Sequence, residues 1–107
     1  MAVLLHIAQP SDVEAAQQSG HYHCASLDSE GFIHCCLPEQ LQGVVERYYS
    51  DASGSLSLLT INADDLKSEP VFENTVGGTE LFPHVYGAIN MDAVSKIEPL
   101  NNGATEK

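Results

Sequence analysis

The sequence predicts a single small domain of the α/β or α+β type, built around a modest twisted sheet. Three observations predict it. The chain is 107 residues long and 43% hydrophobic, which is enough for one core and too short for two. Short apolar runs of strand length alternate with segments of helical periodicity, and most of the helical mass comes early. No repeat, linker or low-complexity tract interrupts this pattern.

VLLHIA at 3–8 reads as a first strand, apolar on both faces except where His6 falls beside Leu4 and Ala8. MAVLLHIAQP carries no Lys or Arg ahead of its apolar run, so it reads as a strand and not as a signal peptide. Pro10 and Ser11 open a short helix. Ser11 and Glu14 have the spacing of a capping box, Gly20 is a natural stop, and the thin stripe of Val13 and Ala16 suits a surface position. HYHC at 21–24 is a short strand with His21 and His23 as an exposed pair, and ASLDSEG at 25–31 is a polar loop.

FIHC follows as a strand whose alternation sends Phe32, His34 and Cys36 one way and Ile33 and Cys35 the other. PEQLQGVVERYYS at 38–50 carries the strongest helical stripe, Leu41, Val44, Val45, Tyr48 and Tyr49, with Pro38 in its first turn. That stripe reads as core packing. Leu37 stands where a polar cap would be natural, Gly43 weakens the helix slightly, and DASGS at 51–55 ends it. LSLLTI at 56–61 is a central strand, and Asn62 opens a one-turn helix over ADDL. VFE at 71–73 is a short strand, NTVGGT at 74–79 a flexible link, and ELFPHVYG at 80–87 a dense segment. After a turn near Asn90 to Asp92, AVSKIEPL makes the last strand. The domain is expected to span 1–98, with 99–107 a disordered tail.

Fifteen acidic residues against Arg47, Lys67, Lys96 and Lys107 give a formal charge of -11. Without clustered cations there is nothing to displace counterions from phosphates, so nonspecific nucleic-acid binding and anionic membrane surfaces are excluded as expectations. No apolar run approaches the roughly 18 residues of a membrane span. Three cysteines, Cys24, Cys35 and Cys36, are odd in number and read as buried thiols of a reducing compartment. The expected location is cytoplasmic.

Three histidines, His6, His34 and His84, each lie within an apolar run where an imidazolium is expensive to bury. If their strands are neighbours and their faces agree, the rings converge on one pocket. Three uses compete: a metal site, an acid–base or anion-binding pocket, and core histidines that satisfy carbonyls. No metal-ligand spacing supports the first. Cys36 shares a face with His34, about 6.6 Å away along the strand, which makes a thiol nucleophile a minor alternative. Glu80 shares parity with Phe82, His84 and Tyr86, although Pro83 interrupts the strand. A carboxylate beside an imidazole and a phenol suits a sugar hydroxyl or a developing cation.

LLHIA, SLDSEGFIHC, PEQLQGV and ELFPHVYG together resemble a bacterial and plant family, domain of unknown function 952, across about residues 4 to 98. That family has no established activity. It has been grouped by fold with the ADP-ribosyltransferases, which implies a small split, twisted sheet with two main helices and a cleft for NAD. The resemblance implies catalytic roles for His6, His34 and Glu80. His6 would contact a ribose hydroxyl, His34 the nicotinamide or the diphosphate, and Glu80 the ribose and its oxocarbenium-like transition state. Ser26, His84 and Tyr86 would bind substrate. NAD enters as a substrate, and no resident cofactor is implied. The alternatives are a binding module for a nucleotide or metabolite, without catalysis, and a metal-dependent hydrolase with histidine ligands.

Overall fold

The computed structural model describes residues 3–48, 56–74 and 80–100. The strands are β1 (Val3–Ala8), β2 (His21–Tyr22), β3 (Ile33–His34), β4 (Leu56–Asn62), β5 (Pro70–Glu73), β6 (Phe82–Val85), β7 (Ile89–Asn90) and β8 (Val94–Leu100). The helices are α1 (Pro10–Ser19), α2 (Ala25–Glu30) and α3 (Leu41–Tyr48), with single 3-10 turns at 38–40, 63–65 and 91–93.

All strand pairs are antiparallel, in the orders β1-β4-β8, β3-β6-β5 and β2-β7. The two three-stranded sheets meet at one point. Leu5 N donates to Cys36 O at 2.7 Å and Cys36 N returns the bond to Leu5 O at 2.8 Å. Beyond that bridge β1 and β3 part, so the molecule is a mixed α/β fold with its sheet divided.

Alternation explains the two cores. Leu4 and Ala8 of β1 face one way and pack with Leu59, Ile61, Ile33, Val85 and α1's Val13 and Ala16. Leu5 and Ile7 face the other way and pack with Cys36, Leu56 and Leu58 under α3. β1 is therefore buried on both sides, as its continuous apolar run requires. Each fully buried Leu or Ile here removes enough surface from water to contribute about 2–3 kcal/mol.

Several expectations are corrected. Residues 25–30 form α2 and not a loop, because Gly31 closes the turn at φ 90° and Leu27 anchors it on the core. The capping box at Ser11 and Glu14 does not form. α1 starts one residue earlier, at Pro10, behind Gln9, whose side chain caps nothing. Gly20 does end that helix, at φ 89°. The strand expected over 21–24 shortens to His21–Tyr22, and the expected turn near Asn90 contains β7. The strongest helix begins as a 3-10 turn, where Gln40 Oε1 accepts from Leu37 N at 2.9 Å while the Leu37 carbonyl accepts from Gln40 N at 2.8 Å, and the Leu37 side chain caps nothing. Tyr49 and Ser50, the loop expected at 51–55, all but the first residue of the link expected at 74–79, and residues 101–107 lie outside the described residues, while β8 runs through Pro99 and Leu100.

Candidate functional site

β3 and β6 set the site. Their register places Ile33 opposite Val85, both in the core, and His34 opposite His84 on the other face. β5 continues that face, since Val71 pairs with His84 and Glu73 with Phe82. Phe32, His34, His84, Tyr86 and Glu73 thus share one surface of the sheet. Phe32 stacks on His84 with centroids 4.3 Å apart at 17°, and Tyr86 leans on Phe32 at 5.1 Å.

His84 is 3% exposed, and its Nδ1 is 2.9 Å from Glu73 Oε2. The carboxylate can only accept, so the ring donates there. Tyr86 OH donates to the same oxygen. Those two bonds, the phenol's first and the imidazole's second, hold the Glu73 carboxyl below the usual carboxylate range, and Glu73 in turn raises the Tyr86 phenol. Among the described residues nothing bonds His84 Nε2. His34 is half exposed, with Nε2 3.4 Å from the Glu30 carboxylate.

His6 sits differently. Its parity with Leu4 and Ala8 turns it toward the face that α1 covers, opposite to His34 and His84. It fills the gap where β1 leaves β3. Nδ1 donates to the backbone carbonyl of His34 at 2.5 Å, so Nε2 accepts from Tyr22 OH at 2.7 Å. Burial drives the imidazole down to about 4, partly opposed by the His34 carbonyl. The ring is neutral and both its nitrogens are engaged. Tyr22 is held well above its ordinary value, chiefly by burial.

The three imidazoles nevertheless border one cavity of about 550 Å³, together with Ser26, Glu30 and Tyr22. His34 and His84 reach it side by side, and His6 reaches it from the gap. Ser26 Oγ donates to Phe32 O at 2.8 Å and holds the entrance to β3. Glu80 is exposed and lines a separate hollow of about 160 Å³, where it accepts from Gln40 Nε2 at 3.2 Å. The carboxylate that meets His84 and Tyr86 is Glu73, which parity within 80–87 could not reveal because it arrives from another strand. Two acids do line the cavity, Glu30 from α2 and Asp12 from α1.

The thiols are placed for packing. Burial raises Cys35 strongly and pushes Cys36 up to about 11, so neither is an activated nucleophile. Among the described residues no three His, Cys, Asp or Glu side chains gather as metal ligands, and no helix is long and apolar enough to cross a membrane.

Among the described residues, a strand-register pair of histidines on the wall of a divided α/β sheet borders a candidate ligand cleft. Residues 7–97 match the family described as "Protein of unknown function (DUF952)", and the chain belongs to that family. The crystal structure of protein CC0527 from Caulobacter crescentus is similar, at 26% identity and a TM-score of 0.79 over 92% of this chain and 86% of that one. The solution NMR structure of the same protein is 27% identical with a TM-score of 0.69, covering 94% and 86%. No curated protein matches the chain.

Proposed function

We propose that the cavity binds a ribonucleotide, NAD or a close relative, and that the protein transfers ADP-ribose from it. The observation that carries this reading is the direct facing of His34 and His84 on one cavity wall. A volume of about 550 Å³ suits a small-molecule ligand. The half-exposed His34 edge offers a donor to phosphate oxygens, and the rings offer flat surfaces to a base, in a chain with few cations. The fold-level resemblance to ADP-ribosyltransferases favours NAD among ribonucleotides.

In this reading His34 meets the nicotinamide or the diphosphate, and Ser26 adds a hydroxyl only by exchanging its bond to Phe32. Glu30 takes the ribose hydroxyl and steadies positive charge at the anomeric carbon, the role that the resemblance implies for Glu80. His6 holds the strand gap closed behind the ligand. The test is thermal unfolding with NAD, ADP-ribose and AMP, together with an assay for nicotinamide release. Saturable stabilisation, about 2.7 kcal/mol at a hundred times Kd, with product formed supports the transferase. Stabilisation without product makes the protein a binding module. The absence of both stabilisation and product overturns the reading.

A further inference from the structure

We infer that His84 Nε2 is the base that activates the acceptor of this reaction, that Glu73 positions it, and that the acceptor is a hydroxyl group. The inference rests on the ADP-ribose transfer proposed above.

The geometry comes first. Glu73 takes the Nδ1 proton of His84 at 2.9 Å, which leaves the lone pair of the neutral ring on Nε2. That nitrogen belongs to a side chain 3% exposed, lies on a cavity-lining residue, and has no partner among the described residues. On a cavity wall, a ring nitrogen that no protein group bonds is left for water or a ligand to meet. Phe32 stacked across the ring and Tyr86 bonded to the same carboxylate oxygen prevent the imidazole from turning. This is a nucleophile-activating arrangement of base and orienting acid that still awaits its nucleophile.

The chemistry of the acceptor follows from what such a base does. A carboxylate acceptor is already ionised and needs no proton removed, so a base would do nothing for it. A hydroxyl, including water, is a weak nucleophile until its proton leaves. In the step, the acceptor oxygen bonds to the anomeric carbon of the nicotinamide ribose while its proton passes to His84 Nε2. The carbon–nitrogen bond to nicotinamide breaks, and its electron pair leaves with the ring nitrogen, which becomes neutral. The imidazolium then returns its proton to solvent, and nothing is oxidised or reduced.

The experiment uses the full chain and the variants E73Q and Y86F, with NAD as donor and water or methanol as acceptor. E73Q is expected to lower kcat about a hundredfold while KM and the thermal shift by ADP-ribose stay unchanged. Y86F removes one of the two restraints on the Glu73 carboxylate and is expected to lower kcat by a smaller factor than E73Q. Imidazole nitrogen NMR of the wild type at mildly alkaline pH is expected to show His84 protonated on Nδ1, and E73Q to show the other tautomer. A wild type that forms no product overturns both this inference and the ADP-ribose transfer on which it rests. Turnover that E73Q leaves intact, or a wild-type His84 protonated on Nε2, overturns this inference alone.

Discussion

His34 and His84 stand directly opposite each other across the β3–β6 ladder, with ring centroids 5.1 Å apart and planes at 78°. The two rings do different work. His84 is buried and bonded, whereas the His34 side chain is 46% exposed and touches Glu30 only at 3.4 Å. An exposed contact of that kind contributes little to folding. His34→Leu is therefore expected to change stability by less than about 0.5 kcal/mol. It should weaken ADP-ribose binding at least tenfold, read from the concentration dependence of the thermal shift. Unchanged affinity would take His34 out of the site.

Tyr22 is 1% exposed and donates its phenolic hydrogen to His6 Nε2 at 2.7 Å. Tyr22→Phe keeps the packing of the ring and strands a buried acceptor. The expected cost is about 1–3 kcal/mol in urea unfolding. A double-mutant cycle with His6→Leu should return a coupling energy, because the two side chains share one bond. An additive cycle would mean that the bond contributes nothing.

His6 also gives the protein a pH dependence. Its imidazole is lowered from 6.5 to about 4 in the folded state, so between those values the unfolded chain binds the extra proton. Stability from this group is complete above pH 6.5 and is lost as pH falls toward 4. At about 1.4 kcal/mol per pH unit, the full effect is about 3 kcal/mol. Urea midpoints should fall across that window more steeply for the wild type than for His6→Gln. Parallel slopes would show that another group carries the acid sensitivity. Glu73 acts in the same sense at lower pH, its carboxyl being held below its ordinary value by Tyr86 and His84.

Elements with a strong periodic pattern were legible in the sequence, and the site was legible in part. The double-sided run of β1, the stripe of Leu41, Val44 and Val45, and the parity that separates Ile33 from His34 all survive in the structure. α2 was hidden because ASLDSE has no buried face, and a closing glycine and one half-buried Leu27 sustain it. Glu73 was hidden for a different reason. Its partnership with His84 depends on how β5 registers against β6, and spacing along the chain carries no information about that register. His6 reads as a twin of the other two histidines until the division between β1 and β3 turns it toward Tyr22.

Asn90 joins the two 3-10 turns at 63–65 and 91–93. It is 4% exposed, accepts from Lys67 N at 2.9 Å, donates to Asp65 O at 2.9 Å, and donates to the Asp92 carboxylate. Asn90→Leu preserves volume but leaves a backbone donor and acceptor unpaired, which should cost about 2–3 kcal/mol. Asn90→Asp keeps the acceptor, loses both donated bonds, and sets one carboxylate against another. It should therefore be the worse variant at neutral pH, and it should recover part of its deficit in mild acid as the pair takes up a proton. Chemical denaturation of both variants at neutral and acidic pH checks this. An Asn90→Asp protein that is no less stable than Asn90→Leu at neutral pH would mean that Asp92 turns away from position 90.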